Sequence, residues 1–134
     1  MSQEAQQESP PQTPYALMGG EDAVRRLINR FYDLMESRPE AAAVRAMHAD
    51  DLGPMREILF QFFSGWFGGP PLYFQRADSK CMNSAHAPYR IDAAAAQAWL
   101  DCMFQALKDV DAPPEVQRMV EQPMRQMAKM LTNA

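Results

Sequence analysis

Histidine is almost absent from this chain: its 134 residues hold only His48 and His86. Cysteine is equally scarce, and Cys81 and Cys102 form no CxxC unit. A zinc site built from these four residues has no recognisable ligand spacing behind it. Serines are few and none sits in GxSxG, which argues against an esterase-type nucleophile. The glycine pairs Gly19–Gly20 and Gly68–Gly69 lack a GxxxxGK or GxGxxG context, so no phosphate-cradling loop is expected. No Lys/Arg cluster is dense enough to follow a phosphate backbone, and the net charge is -4; nucleic acid is not an expected partner. No apolar run approaches the length of a membrane span, and the first residues carry no apolar signal core. The expectation is a cytoplasmic protein with reduced thiols and no membrane contact.

Val and Ile are also few, whereas Ala, Met, Gln, Arg and Leu dominate the periodic stretches, which favours helix over strand. The eleven methionines read as adaptable core filler, with a soft lining for a flat apolar ligand as the alternative. The length suits one domain with a single core. Residues 1–14, "MSQEAQQESPPQTP", are polar and proline-rich and read as a disordered tail before a domain over 15–134.

From Gly20 the pattern becomes helical. Val24, Leu27, Ile28, Phe31 and Met35 share one stripe, behind a first turn containing Glu21 and Asp22. Pro39 can open a short helix, "PEAAAVRAMH". A third helix follows "ADDLGP", with Asp50 and Asp51 at its start, and runs through "MREILFQFFSGWF". Leu59, Phe62, Phe63 and Trp66 make it apolar over more than half its girth, until "GGPP" at 68–71 stops it. Residues 72–83 suggest a turn or two before a short helix carrying His86, which Ala87 before Pro88 should close. Asp92 should cap a long helix with Ala95, Trp99, Met103, Ala106 and Val110 on its stripe. A last helix runs from Glu115 to Leu131, and Pro123 in its interior is expected to kink it or split it at Gln122. The fold class is therefore all-α, with five or six helices and long irregular connections that a simple bundle does not need.

Polar groups stand out among the apolar stripes. Tyr32 edges the first helix's core face, Trp99 lies within the fourth helix's stripe, and His48 ends the short second helix. Each alone reads as a satisfied core residue; with His86 they make three candidate hydrogen-bond donors and an imidazole on a separate element.

The stretches "FYDLM" at 31–35, "FQFFSGWFGGPPLY" at 60–73, "HAPYRI" at 86–91 and "AWLDCM" at 98–103 resemble the group II truncated haemoglobins, in matching order and spacing over roughly 15–131. The resemblance implies a truncated globin fold, a two-over-two helical sandwich around haem b, with iron held by the proximal histidine His86. It places Tyr32, His48 and Trp99, with Met55 and Leu59, around the distal ligand. It also implies Phe62, Phe63, Tyr89 and Met103 as pocket residues, and Tyr73 and Arg76 near the haem propionates. The implied function is reversible binding of dioxygen and other diatomic gases, nitric oxide and carbon monoxide among them, at a pentacoordinate iron. The alternatives are a haem-dependent redox enzyme, such as a nitric oxide dioxygenase or peroxidase served by a separate reductase, and a haem-free helical interaction protein. One segment departs from the family pattern: Ala85 stands where relatives carry an arginine that pairs with a propionate, leaving Arg76, Lys80 and Arg90 as substitutes.

Overall fold

The computed structural model describes residues 12–134. Most of the expected tail thus lies outside the described residues. Its last two residues already belong to the fold: the Thr13 hydroxyl accepts from the Ala16 N–H at 3.1 Å and Pro14 opens a helix, α1 (Pro14–Met18). That helix was not expected, because five residues are too few to show periodicity.

Among the described residues the chain is all-helical. After α1 come α2 (Glu21–Ser37), a 3₁₀ turn (Pro39–Ala41), α3 (Ala42–Ala46) and α4 (Gly53–Trp66). A second 3₁₀ turn (Tyr73–Gln75) precedes α5 (Met82–His86), α6 (Ala93–Asp109) and α7 (Pro114–Leu131). The expected helix over 39–48 is thus a 3₁₀ turn followed by a shorter α-helix, and seven α-helices replace the five or six expected. Helix α2 packs against both α4 and α6, and α6 packs against α7, so one long pair lies over the other. No helix among the described residues is long and apolar enough to cross a membrane.

The stripe of α2 is buried as its spacing requires: Val24, Leu27, Ile28, Phe31 and Met35 are sealed, and Tyr32 joins them. Burial of such side chains contributes roughly 1.5–3 kcal/mol each and outweighs the surface ion pairs between helices. Two of those pairs still fix how α4 sits on α2: Arg25–Glu57 at 2.9 Å and Arg56–Asp33 at 3.0 Å. Asp92 caps α6 as expected, its Oδ1 accepting from the Ala95 N–H at 2.8 Å. At α4 the carboxylate of Asp51 accepts from the Gly53 N–H at 2.9 Å, and Leu52 holds the cap position itself.

The glycine pair after α4 has two separate causes. Gly68 adopts a φ of 96°, where a side chain is strained. Gly69 leaves room for the Tyr15 ring; a Cβ there would lie 2.4 Å from it.

The expected split at Gln122 does not occur, and α7 is continuous through Pro123. Pro123 sits on the exposed face, so the carbonyl its ring leaves unbonded faces solvent instead of the core.

Candidate functional site

His86 occupies the last turn of α5. Its Nδ1 lies 2.7 Å from the Met82 carbonyl oxygen. A carbonyl only accepts, so Nδ1 carries the proton and the neutral ring keeps a lone pair on Nε2. The helix that aims this ring is capped by Cys81, which the sequence reading weighed only as a zinc ligand. Cys81 Sγ accepts from the Ser84 N–H at 3.4 Å and lies 3.1 Å from the Ser84 hydroxyl. These bonds pull the exposed Cys81 thiol below its usual range.

On other elements, a chain of rings connects the remaining candidates. His48 meets Tyr32 edge-on at 5.8 Å between centroids, and Tyr32 meets Phe31 at 4.9 Å. Phe31 meets Trp99 at 5.2 Å, and Phe63 stacks on Trp99 at 6.2 Å. Four elements thus place His48, Tyr32 and Trp99 along one continuous aromatic wall, with Phe31 as the spacer that their separate stripes did not reveal. Among the described residues neither the Tyr32 hydroxyl nor the Trp99 indole N–H bonds to a protein group. No fully sealed side-chain polar atom there lacks a partner, so each of the two keeps a sliver of accessible surface, although Tyr32 as a whole is only 1% exposed.

His48 repeats the geometry of His86: its Nδ1 lies 2.9 Å from the Val44 carbonyl, which leaves the lone pair on Nε2. Burial holds its imidazole below the usual range. The Val44 carbonyl opposes that shift, and Arg45 and His86 add to it, so the two histidines lie within each other's field. Burial likewise raises the Tyr32 phenol, against the nearby Arg56. Arg56 is absent from the sequence reading. Its guanidinium stands 5.7 Å from the Tyr32 ring centroid and donates to the Asn29 carbonyl at 2.9 Å and to Asp33 at 3.0 Å. No local pattern could reveal it, since its partners lie a helix away.

Phe62, Phe63 and Met103 are buried, and Met55 and Leu59 are half-buried on α4. Tyr73 and Arg76 are already engaged. The Tyr73 hydroxyl donates to the Lys80 carbonyl at 2.8 Å and accepts from the Lys80 N–H at 3.0 Å. Arg76 holds Asp78 through two bonds, at 2.9 and 3.0 Å, and also donates to Gln61. Tyr89 is exposed. Among the described residues the side chains of Lys80 and Arg90 make no ion pair, and no three of His, Cys, Asp and Glu come together as a metal site.

An imidazole lone pair on one short helix and a ring wall on four other elements make an arrangement that relatives can be compared with. The sequence profile of the bacterial-like globins matches residues 13–133. The chain belongs to that family.

Within it, this globin is 30% identical over 103 residues to the group 2 truncated hemoglobin YjbI of Bacillus subtilis (strain 168), covering 77% of this chain and 75% of that one. Two solved structures are similar throughout. The group II 2-on-2 hemoglobin from Agrobacterium tumefaciens superposes with a TM-score of 0.87 at 30% identity, over 94% of this chain and 98% of its own. The cold-adapted truncated hemoglobin from Pseudoalteromonas haloplanktis TAC125 gives 0.86 at 32% identity, over 92% and 99%. The globin therefore has the two-over-two truncated fold and falls among the group II truncated haemoglobins.

Proposed function

We propose that this globin holds haem b through His86 and binds dioxygen reversibly, with Tyr32 and Trp99 as hydrogen-bond donors to the gas. The observation that carries the reading is the pair of donors on one ring wall, the Tyr32 hydroxyl and the Trp99 N–H, that bond to no protein group among the described residues.

The residues fit a haem. His86 would hold the iron through Nε2: its bond to the Met82 carbonyl leaves that nitrogen's lone pair free, fixes the ring and would raise its basicity. Phe62, Phe63 and Met103 supply apolar side chains of the kind a flat macrocycle packs against. With Ala85 in place of the family's arginine and Arg76 committed to Asp78, Lys80 and Arg90 are the cations left for the propionates. When bound, haem would supply iron chemistry that takes diatomic gases, with partial negative charge developing on dioxygen.

This chain's residues then act on that charge. Tyr32 and Trp99 donate to it in a dry site, where a hydrogen bond is stronger than in water. Neutral His48 contributes differently. With its Nδ1 proton on Val44, Nε2 accepts, so His48 orients a neighbouring hydroxyl or water and becomes a donor only once protonated. Carbon monoxide and nitric oxide are further ligands of the same class. A site with two donors favours slow release of dioxygen, which suits scavenging or sensing.

The test is spectroscopic. Titrating the apoprotein with haemin should give a one-to-one complex with a sharp Soret band, and His86→Ala should lose it. A spectrum indistinguishable from free haemin, or one untouched by His86→Ala, removes the reading.

A further inference from the structure

A surface cleft of about 520 Å³ opens where the end of α2 meets the first 3₁₀ turn and α3. Its walls include Met35, Arg38, Ala42, Arg45, Ala46 and His48. His48 also belongs to the ring wall, where it meets Tyr32 at 5.8 Å. We propose that this cleft is the entrance by which a small neutral gas reaches the Tyr32–Trp99 site, with His48 as its inner door. The inference rests on the gas-binding reading above and adds a route to it.

The surroundings of Tyr32 argue for this side. Tyr32 is sealed from solvent, as are Phe31 and Phe63 along the ring wall. His48 and Arg56, which both border the Tyr32 ring, reach solvent in part. Arg56 is fixed by bonds to Asn29 and Asp33 and forms a standing wall. His48 is tied by one side-chain hydrogen bond, to a carbonyl four residues earlier on its own segment. A half-buried ring held that way turns about χ1 by giving up that one bond and its edge contact with Tyr32, and partly exposed rotamers exchange quickly.

The cleft's chemistry selects the ligand class. Arg45 is spent on the Glu36 carboxylate at 3.4 Å and on the carbonyls of Ala49 and Asp50, both at 2.9 Å. Arg38 lies 3.6 Å from Glu40. No surplus positive charge is left to gather anions, while Ala42 and Ala46 keep the walls low. A neutral diatomic passes such a cleft without losing strong hydration.

Narrowing the cleft from outside tests the route without touching the site. In the haem-loaded chain, Ala46→Phe should slow bimolecular carbon monoxide association after flash photolysis by about tenfold, within the range single substitutions reach. The carbon monoxide stretching band should stay where it is. His48→Ala should speed association. A second readout needs no haem: in a Trp66→Phe background Trp99 is the sole tryptophan, and dioxygen quenching of its fluorescence should fall with Ala46→Phe and rise with His48→Ala. Ala42→Phe serves if circular dichroism shows that Ala46→Phe does not fold. Association and quenching both unchanged by a folded cleft variant would overturn the route. A chain that takes up no haem removes the gas-binding reading instead, and quenching still decides the route.

Discussion

Asn133 and Ile91 exchange two hydrogen bonds: the Ile91 N–H donates to Asn133 Oδ1 at 2.8 Å, and the Asn133 N–H donates to the Ile91 carbonyl at 2.8 Å. Asn133 Nδ2 also donates to the Tyr89 carbonyl at 2.8 Å. One side chain thus bolts down the segment that joins the His86 helix to the Trp99 helix. Asn133→Ala removes both side-chain bonds and should destabilise the fold by about 1–2 kcal/mol, at roughly 1 kcal/mol net per bond. Asn133→Asp keeps the bond from Ile91, loses the one to Tyr89, and should cost about half as much. Urea midpoints at constant slope measure both; an unshifted midpoint for the alanine variant means the backbone bonds suffice.

Pro123 should be replaceable at a gain. It lies on the exposed face of an unbroken α7, where its ring removes one helical hydrogen bond and strains the preceding turn. Proline in a helix interior costs about 3 kcal/mol relative to alanine, offset by up to about 1 kcal/mol of chain entropy that proline removes from the unfolded state. Pro123→Ala should therefore raise Tm by several degrees. A lower Tm would mean that the ring packs productively against a neighbour.

The contrast between α2 and α7 shows which features local sequence can reveal. The stripe from Val24 to Met35 and the Asp92 cap are local devices, complete within one helix, and the structure has both. The fate of Pro123 depends on which face tertiary packing leaves in water, and no window around "EQPMR" contains that information. The site divides the same way. The residue types and order of His48, Tyr32, His86 and Trp99 are visible in sequence, but the ring wall that joins His48, Tyr32 and Trp99 depends on Phe31, which reads there only as core. Arg56 acts on Tyr32 from a different helix, and the tautomers of both histidines are set by carbonyls four residues back, in helices whose ends sequence places only loosely.

The two thiols should react very differently. Cys81 is exposed and held below its usual range by hydrogen bonds from Ser84, whereas burial raises Cys102. The thiolate is the reactive form, so Cys81 should be alkylated by iodoacetamide in the folded protein while Cys102 is spared until denaturant is added. Ser84→Ala should slow the Cys81 reaction. Peptide mapping after partial labelling decides it; equal labelling of both thiols in native protein contradicts the burial of Cys102.

His48 should make apoprotein stability pH-dependent in a defined direction. Its folded value lies below the ordinary one, chiefly through burial, so between the two values the unfolded chain holds a proton that the native state lacks. Stability therefore rises with pH across that window. Acidification from about pH 6.5 should erode it until the native imidazole protonates as well. His48→Gln should remove this part of the slope, seen as the difference between variant and parent urea midpoints. A difference independent of pH over that window would mean that the native imidazole titrates normally.

Tyr32 and Trp99 carry the functional reading, and removing one donor from each is the sharpest check on it. Tyr32→Phe deletes only the hydroxyl oxygen and leaves the edge contacts to Phe31 and His48 in place. Trp99→Phe deletes the N–H but also part of the stack on Phe63, so its rate effect is weighed against its effect on stability. Each lost hydrogen bond of about 1.4 kcal/mol corresponds to a tenfold change. Dioxygen dissociation, followed by displacement with carbon monoxide, should accelerate about tenfold in either variant and further in the double variant. If both single variants release dioxygen at the parent rate, neither group donates to the gas, and the functional reading fails.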